Sequence, residues 1–288
     1  MTAPEVAVRV KGVAKSFGGT RILNDITIDF FKGTVHALVG ENGAGKSSVG
    51  KIIGGYYSAD EGNVEIEGDT VTRFSPRDAL KRGIAMIHQE LQLVPELTVL
   101  QNVFLGQETN RAGELVKGDL ARFKTLEQTC EFGLDPNAKV ASLRIAERQK
   151  VEIMRAVARE ANVIIMDEPT SVLTPQEADE LFVTLRRLAA EGCSILFISH
   201  KLNEVRALCQ SATVLRAGCV SGECIPAECS DLELARLMVG DAEGLEAEYP
   251  KSEGRSPFLR VERLSWHNAD PFGVSLEEVD LEVRAGEI

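Results

Sequence analysis

The residues best placed to do chemistry form the run Gly40-Glu41-Asn42-Gly43-Ala44-Gly45-Lys46-Ser47, followed by Ser48. It fits the spacing G-x-x-x-x-G-K-[ST]. Each part of that spacing suits a triphosphate. Glycines let the backbone turn tightly and approach phosphate without a side chain in the way. Successive N–H groups then make an anion cradle at a helix N-terminus. Lys46 supplies a cation for the outer phosphates, and the Ser47 hydroxyl can ligate Mg²⁺. At average residue usage, the four fixed positions coincide by chance in on the order of 1% of chains this long. The cradle from Gly40 to Ser48 is therefore read as a binding site.

A second constellation lies 120 residues downstream, counted from Ser47 to Asp167. Val163-Ile164-Ile165-Met166 is a short apolar run ending in Asp167 and Glu168. Strands buried on both faces read this way, and ligands sit at the carboxyl ends of such strands. Asp167 is placed to hold Mg²⁺ and Glu168 to polarise an attacking water. Two solvated loop acids are the alternative, and the upstream cradle weighs against it.

The elements that must hold these groups follow from periodicity and punctuation. Residues 6–35 read as strands, with Asp25 to Phe30 alternating in polarity. Val35 to Val39 runs as a strand into the cradle, and a helix follows from Lys46 to about Ile53. Asn63 to Ile66 and Ile84 to His88 read as strands, with a helix start at Ser75-Pro76 between them. Residues 91–160 change character and read as helices: Thr98 to Leu105, Asp119 to Phe132 and Ala146 to Arg159. Val163 to Met166 resumes the strand pattern. Thr174-Pro175-Gln176-Glu177 is a capping box opening a helix to about Ala190. Cys193 to Ile198 reads as a strand and Asn203 to Cys209 as a helix. Ala212 to Leu215 and Val220 to Glu223 read as a hairpin across Ala217-Gly218, and Ser230 caps a last helix. Alternating strands and helices predict an α/β fold with a mostly parallel core sheet. An N-terminal antiparallel β region and an inserted α-helical subdomain at about 91–160 complete it.

Residues 241–257 are polar and rich in Gly, Pro, Ser and Glu, and read as a linker. Phe258 to Trp266 and Val279 to Val283 read as strands again. The passage Arg284-Ala285-Gly286-Glu287-Ile288 repeats the form of Phe31-Lys32-Gly33-Thr34-Val35. This weak internal repeat predicts that residues 258–288 begin a second copy of the domain spanning 5–240.

Composition narrows the class. The 288 residues carry a formal net charge of −12, which argues against a large nucleic-acid footprint. Apolar runs are strand-sized, well short of the ~20 residues of a membrane span. The N-terminus lacks the pattern of a secretory signal. The cysteines Cys219, Cys224 and Cys229 have a spacing poor for zinc, with no histidine near, and all six cysteines read as reduced thiols.

These motifs, in this order over roughly residues 6–240, resemble the ATP-binding-cassette family. The resemblance implies a P-loop NTPase fold that binds and hydrolyses ATP with Mg²⁺. It implies that Phe17 stacks on adenine and that Gln89 reaches Mg²⁺ and signals to a membrane subunit. It implies that His200 contacts the γ-phosphate. The metal set is then Ser47, Gln89 and Asp167, and the catalytic set Glu168, His200 and Gln89. The runs Ile87-His88-Gln89-Glu90-Leu91, Gln149-Lys150-Val151-Glu152-Ile153 and Met166 to Thr174 are similar to the tandem-cassette ATPases of bacterial ribose, galactose and xylose importers. That subgroup implies a second cassette on the same chain, transmembrane permease subunits, and a periplasmic or extracellular solute-binding protein acting indirectly. It implies a peripheral place on the cytoplasmic side of the inner membrane and no nucleic-acid partner.

One departure stands out. The family's Leu-Ser-Gly-Gly-Gln signature aligns with Leu143-Arg144-Ile145-Ala146-Glu147. The serine that meets the γ-phosphate on the opposite cassette is Arg144, and the close-approach glycines are Ile145 and Ala146. The expectation is an asymmetric pair of sites, with this degenerate signature facing the weaker one. Alternatives stay open: import of another small solute such as a nucleoside or autoinducer, an exporter ATPase, a non-transport tandem-cassette ATPase, or a nucleotide-binding module without turnover.

Overall fold

The computed structural model describes residues 5–107, 117–240, 256–268 and 275–285. It divides into two compact units, Met1–Asp241 and Ala242–Ile288. In the first, β1 (Val6–Phe17), β2 (Thr20–Phe31), β4 (Glu61–Ile66) and β5 (Asp69–Val71) form an antiparallel sheet in the order β2-β1-β4-β5. A second sheet has the order β10-β9-β3-β8-β7-β6. Its strands are β3 (Val35–Gly40), β6 (Ile84–Ile87), β7 (Val163–Asp167), β8 (Ser194–Ile198), β9 (Ser211–Arg216) and β10 (Cys219–Cys224). All neighbours in it are parallel except β9 and β10, which form the expected hairpin. Its turn residues Ala217 and Gly218 are both left-handed, at φ 48° and 77°, as a two-residue turn matched to strand twist requires.

Every residue of β3, β7 and β8 is buried, because both faces of this sheet are covered. The pleat sends alternate side chains to opposite sides. Ala37, Ile164, Met166 and Phe197 join one apolar cluster with the helices. Leu38, Ile165, Leu196 and Ile198 join another with the antiparallel sheet and α1 (Lys46–Ile53). The other helices are α2 (Pro76–Lys81), α3 (Val99–Phe104), α4 (Lys117–Cys130), α5 (Ile145–Ala158), α6 (Pro175–Ala190), α7 (Leu202–Leu208) and α8 (Asp231–Val239). Ser75, Thr98, Thr174 and Ser230 each cap a helix by accepting the N–H three residues on, so these starts follow from local chemistry.

The segment between the adjacent strands β6 and β7 holds α3, α4 and α5, the helical insertion expected there. Helix α4 spans Lys117–Cys130 rather than Asp119 to Phe132. It ends because Glu131 turns left-handed at φ 51°. Of the expected linker, residues 241–255 lie outside the described residues. Pro257 opens a strand instead of closing the linker, a place where its missing N–H does no harm.

The second unit is an antiparallel hairpin of β11 (Pro257–Trp266) and β12 (Leu276–Arg284). It repeats irregular features of β1 and β2. Val10 pairs with Ile28 and Val13 with Ile26; likewise Val261 pairs with Leu281 and Leu264 with Val279. Each register breaks at a left-handed pair: Gly12 and Asp25 in the first hairpin, Arg263 and Glu278 in the second. The Gly12 N–H donates to Thr27 Oγ1 at 3.0 Å, and the Arg263 N–H donates to an Asp280 carboxylate oxygen at 2.8 Å. Bulges are built features of a strand pair, so sharing one in the same place is stronger evidence of a repeat than sharing a strand pattern.

Candidate functional site

The cradle connects β3 to α1 at the carboxyl edge of the parallel sheet. Gly40 and Gly45 are left-handed at φ 153° and 100°. A Cβ on Gly40 would lie 2.2 Å from the Leu215 carbonyl oxygen, and one on Gly45 would lie 2.4 Å from Leu23 Cδ2. Both positions therefore favour glycine on conformation, and Gly40, facing a backbone carbonyl, requires it on space as well. Lys46 opens α1 with its side chain over the loop, where Nζ donates to the carbonyls of Gly40 at 2.8 Å and Glu41 at 2.9 Å. Burial pushes the Lys46 ammonium below its ordinary range, and the charges of Glu168 and Asp167 oppose that shift. An anion in the cradle would restore what burial takes from the ammonium.

Strand β7 brings the acids to the same edge. The Ser47 hydroxyl donates to Asp167 Oδ1 at 3.0 Å. Burial raises the Asp167 carboxyl above the usual carboxylate range, while the Ser47 hydrogen bond and Lys51 pull it down. A hydroxyl and a buried carboxylate are the hard oxygen donors Mg²⁺ takes, so Ser47 and Asp167 fit the metal. A cation there would offset the desolvation that raises Asp167.

Glu168 leaves the strand in a left-handed conformation, φ 48°, with its N–H on the Ile198 carbonyl. Its Oε1 lies 3.0 Å from Nδ1 of His200, just beyond β8. The two loops are tied together behind this pair. Glu204 accepts from the Thr170 hydroxyl and pairs with Lys201 at 3.0 Å, and Lys201 donates to the Thr170 carbonyl at 3.0 Å. Lys46, Ser47, Asp167, Glu168 and His200 thus share one edge, with the chemistry to hold phosphates, bind a cation and position a water.

The remaining expected residues lie around that edge. Phe17 ends β1, exposed, with Tyr57 edge-on at 5.1 Å and Lys15 Nζ 5.4 Å from its ring centroid. Gln89 is exposed in the loop after β6. Glu41, Asn42 and Gly43 are exposed in the cradle, while Ala44 is buried beneath it and Ser48 is half-buried in α1. The signature segment sits apart: Leu143 precedes α5, Arg144 caps it, and Ile145, Ala146 and Glu147 form its first turn. Arg144 faces solvent, and its guanidinium is paired with Glu147 at 3.5 Å. Among the described residues, no hydrogen bond joins this segment to the cradle.

Sequence reasoning missed several buried polar groups around the site. Gln149 donates from Nε2 to the Pro169 carbonyl at 2.6 Å, Glu152 accepts the Gln92 N–H at 2.8 Å, and Asn102 holds the Val94 N–H and carbonyl at 2.8 and 3.0 Å. Polar residues in an amphipathic helix read as solvent-facing until packing is known.

Comparison with known proteins agrees with this geometry. The model of a family described as "ABC transporter" matches residues 23–171. The chain is 39% identical over 289 residues to "Ribose import ATP-binding protein RbsA 2" of Streptomyces coelicolor, covering 99% of this chain and 54% of that protein. It is 41% identical over 286 residues to "Putative ribose/galactose/methyl galactoside import ATP-binding protein 2" of Rhizobium meliloti, covering 99% and 55%. The chain thus spans about half the length of the curated relatives it matches. Among solved structures, a nucleotide-free ATP-binding cassette from an ABC transporter superposes with a TM-score of 0.68 at 27% identity, covering 81% of this chain and 94% of that one. The ADP conformation of another such cassette, MJ1267, gives 0.68 at 28% identity, covering 80% and 94%.

Proposed function

The chain belongs to the ABC transporter family, and from that premise we propose that it is the ATP-binding, ATP-hydrolysing part of a subunit that energises monosaccharide import. The observation that carries the activity is the convergence at one sheet edge. Ser47 meets Asp167 at 3.0 Å, and Glu168 meets His200 at 3.0 Å, beside a glycine cradle with a buried lysine. The sugar rests on the names of the relatives, and a nucleoside or autoinducer importer is the alternative.

Lys46 exchanges its two loop carbonyls for the outer phosphates, and the cradle N–H groups take the remaining charge. Ser47 and Asp167 would hold Mg²⁺, which would neutralise charge on the phosphates when bound. Glu168 accepts a proton from the attacking water. His200, engaged by Glu168 through Nδ1, keeps Nε2 for the γ-phosphate. Phe17 stacks on adenine, and Gln89 would reach the Mg²⁺.

A second cassette on the same full-length chain completes the unit, with residues 258–288 as its beginning. The hairpin repeat supports this, as does its surface. Val13, Ile26 and Ile28 are buried in the first unit, whereas their counterparts Leu264, Val279 and Leu281 are exposed and call for a core to cover them. Permease subunits in the cytoplasmic membrane, with a solute-binding protein beyond them, are the further partners, and the chain then works peripherally on the cytoplasmic side. The Arg144 segment gives the pair unequal sites, since a guanidinium tied to Glu147 stands where a hydroxyl would meet phosphate. In a chain carrying both cassettes, Lys46→Ala should abolish most ATP turnover. Turnover left intact would contradict both the assignment of hydrolysis to this cradle and the asymmetry.

A further inference from the structure

Helix α5 carries two side chains, Gln149 and Glu152, that are both buried although polar, each only 4% exposed. They are three residues apart and so lie on one face. Each grips the backbone of a different loop of the site. The Gln149 amide donates to the Pro169 carbonyl, one residue after Glu168. Glu152 accepts the N–H of Gln92, three residues after Gln89. Arg155 closes a ring: Nη2 donates to Glu152 at 2.5 Å, and Nη1 donates to the Gln92 carbonyl at 2.7 Å. Both polar groups of the Gln92 backbone are therefore held by the same helix. Two residues on, Asn102 of α3 holds both polar groups of Val94. The loop is thus held at Gln92 and again at Val94, within a few residues of Gln89.

The other end of α5 is the Arg144 segment, which faces solvent. One stiff helix of 14 residues thus connects an exposed surface to the loops bearing Gln89 and Glu168. We propose that Gln149, Glu152 and Arg155 are positioning residues that make the placement of Gln89 and Glu168 depend on the position of α5. A shift of α5 then moves both loops at once, through two grips on one face. The geometric link stands on its own, and its consequence for catalysis rests on the proposed ATPase reading.

The test compares the wild-type chain with Gln149→Ala and with a paired Glu152→Leu/Arg155→Met variant. The paired variant removes both charges together, so neither is left buried alone. Amide hydrogen exchange without nucleotide reads the link directly. The paired variant should speed exchange across residues 89–94, and Gln149→Ala across 168–171, each by roughly tenfold, as expected for losing a buried hydrogen bond. Each should leave the other loop unchanged. In ATP turnover, both variants should lower kcat by about tenfold or more while KM for ATP stays within about twofold, since the cradle is untouched. Unchanged exchange in the gripped loops, or altered exchange with unchanged kcat, overturns the proposal. A variant that loosens the whole chain equally also overturns it, because the role is then only structural. If the wild-type chain shows no turnover in any pairing, the ATPase reading falls, and the exchange pattern still decides whether α5 holds the two loops.

Discussion

At the scale of single residues, the site depends on acids held where solvent would not leave them. Asp167 is buried against Ser47, and Glu168 stands in a left-handed conformation that few non-glycine residues adopt. The conformation turns Glu168 from the strand towards His200, 3.0 Å away. If Glu168 accepts the proton from water, Glu168→Gln keeps the shape and removes the base. Turnover should fall by about 100-fold or more, while ATP stays bound. Steady-state hydrolysis together with retention of labelled ATP on a filter checks this, and near-normal hydrolysis would assign the base elsewhere. The identities of Lys46, Ser47, Asp167 and Glu168 were legible in the sequence because spacing encodes the cradle and an apolar strand announces its own end. The left-handed turn at Glu168 was not, because it belongs to the junction with the neighbouring strand, where its N–H meets the Ile198 carbonyl, and leaves no local mark.

At the scale of elements, the parallel sheet is held by local rules and by one buried polar network. Capping boxes and a two-residue turn set most element ends, so those were readable. The exact order β10-β9-β3-β8-β7-β6 depends on crossovers that leave no local mark. His36 of β3 is the clearest long-range tie. Its Nε2 meets Thr213 Oγ1 at 2.9 Å and its Nδ1 meets Ser211 Oγ at 2.8 Å, with the Phe30 ring edge-on at 4.9 Å. Burial lowers its pKa from 6.5 to about 4, so the ring is neutral in the fold. The unfolded chain takes up the proton first as pH falls. The stability from a neutral His36 is therefore complete above pH 6.5 and is lost as pH falls towards about 4. The full effect is on the order of 3 kcal/mol. Urea unfolding at pH 7 and pH 4.5 should show a smaller loss in His36→Leu than in the wild type. Equal losses would mean that His36 is not what acid attacks.

At the scale of the whole molecule, the first unit has the sheet edge bearing Ser47, Asp167, Glu168 and His200 assembled, and a hairpin repeats the first strands of that unit down to the position of its bulge. The repeat was faintly visible in the sequence as a basic residue and a glycine between strands. The shared register break was not, since Arg263 replaces Gly12 at the equivalent left-handed position and hides the likeness. The grips of Gln149 and Glu152 were equally hidden, because only packing distinguishes a buried polar side chain from a solvated one. Every role assigned to this edge requires Mg-ATP to bind through the cradle around Lys46. The most direct measurement is equilibrium binding of Mg-ATP to the 288-residue chain and to its Lys46→Ala variant, with the fold of each checked by circular dichroism. Binding should be saturable, and Lys46→Ala should weaken it by at least about tenfold, as expected for loss of a charge-assisted contact. Equal binding by two equally folded chains would contradict that requirement.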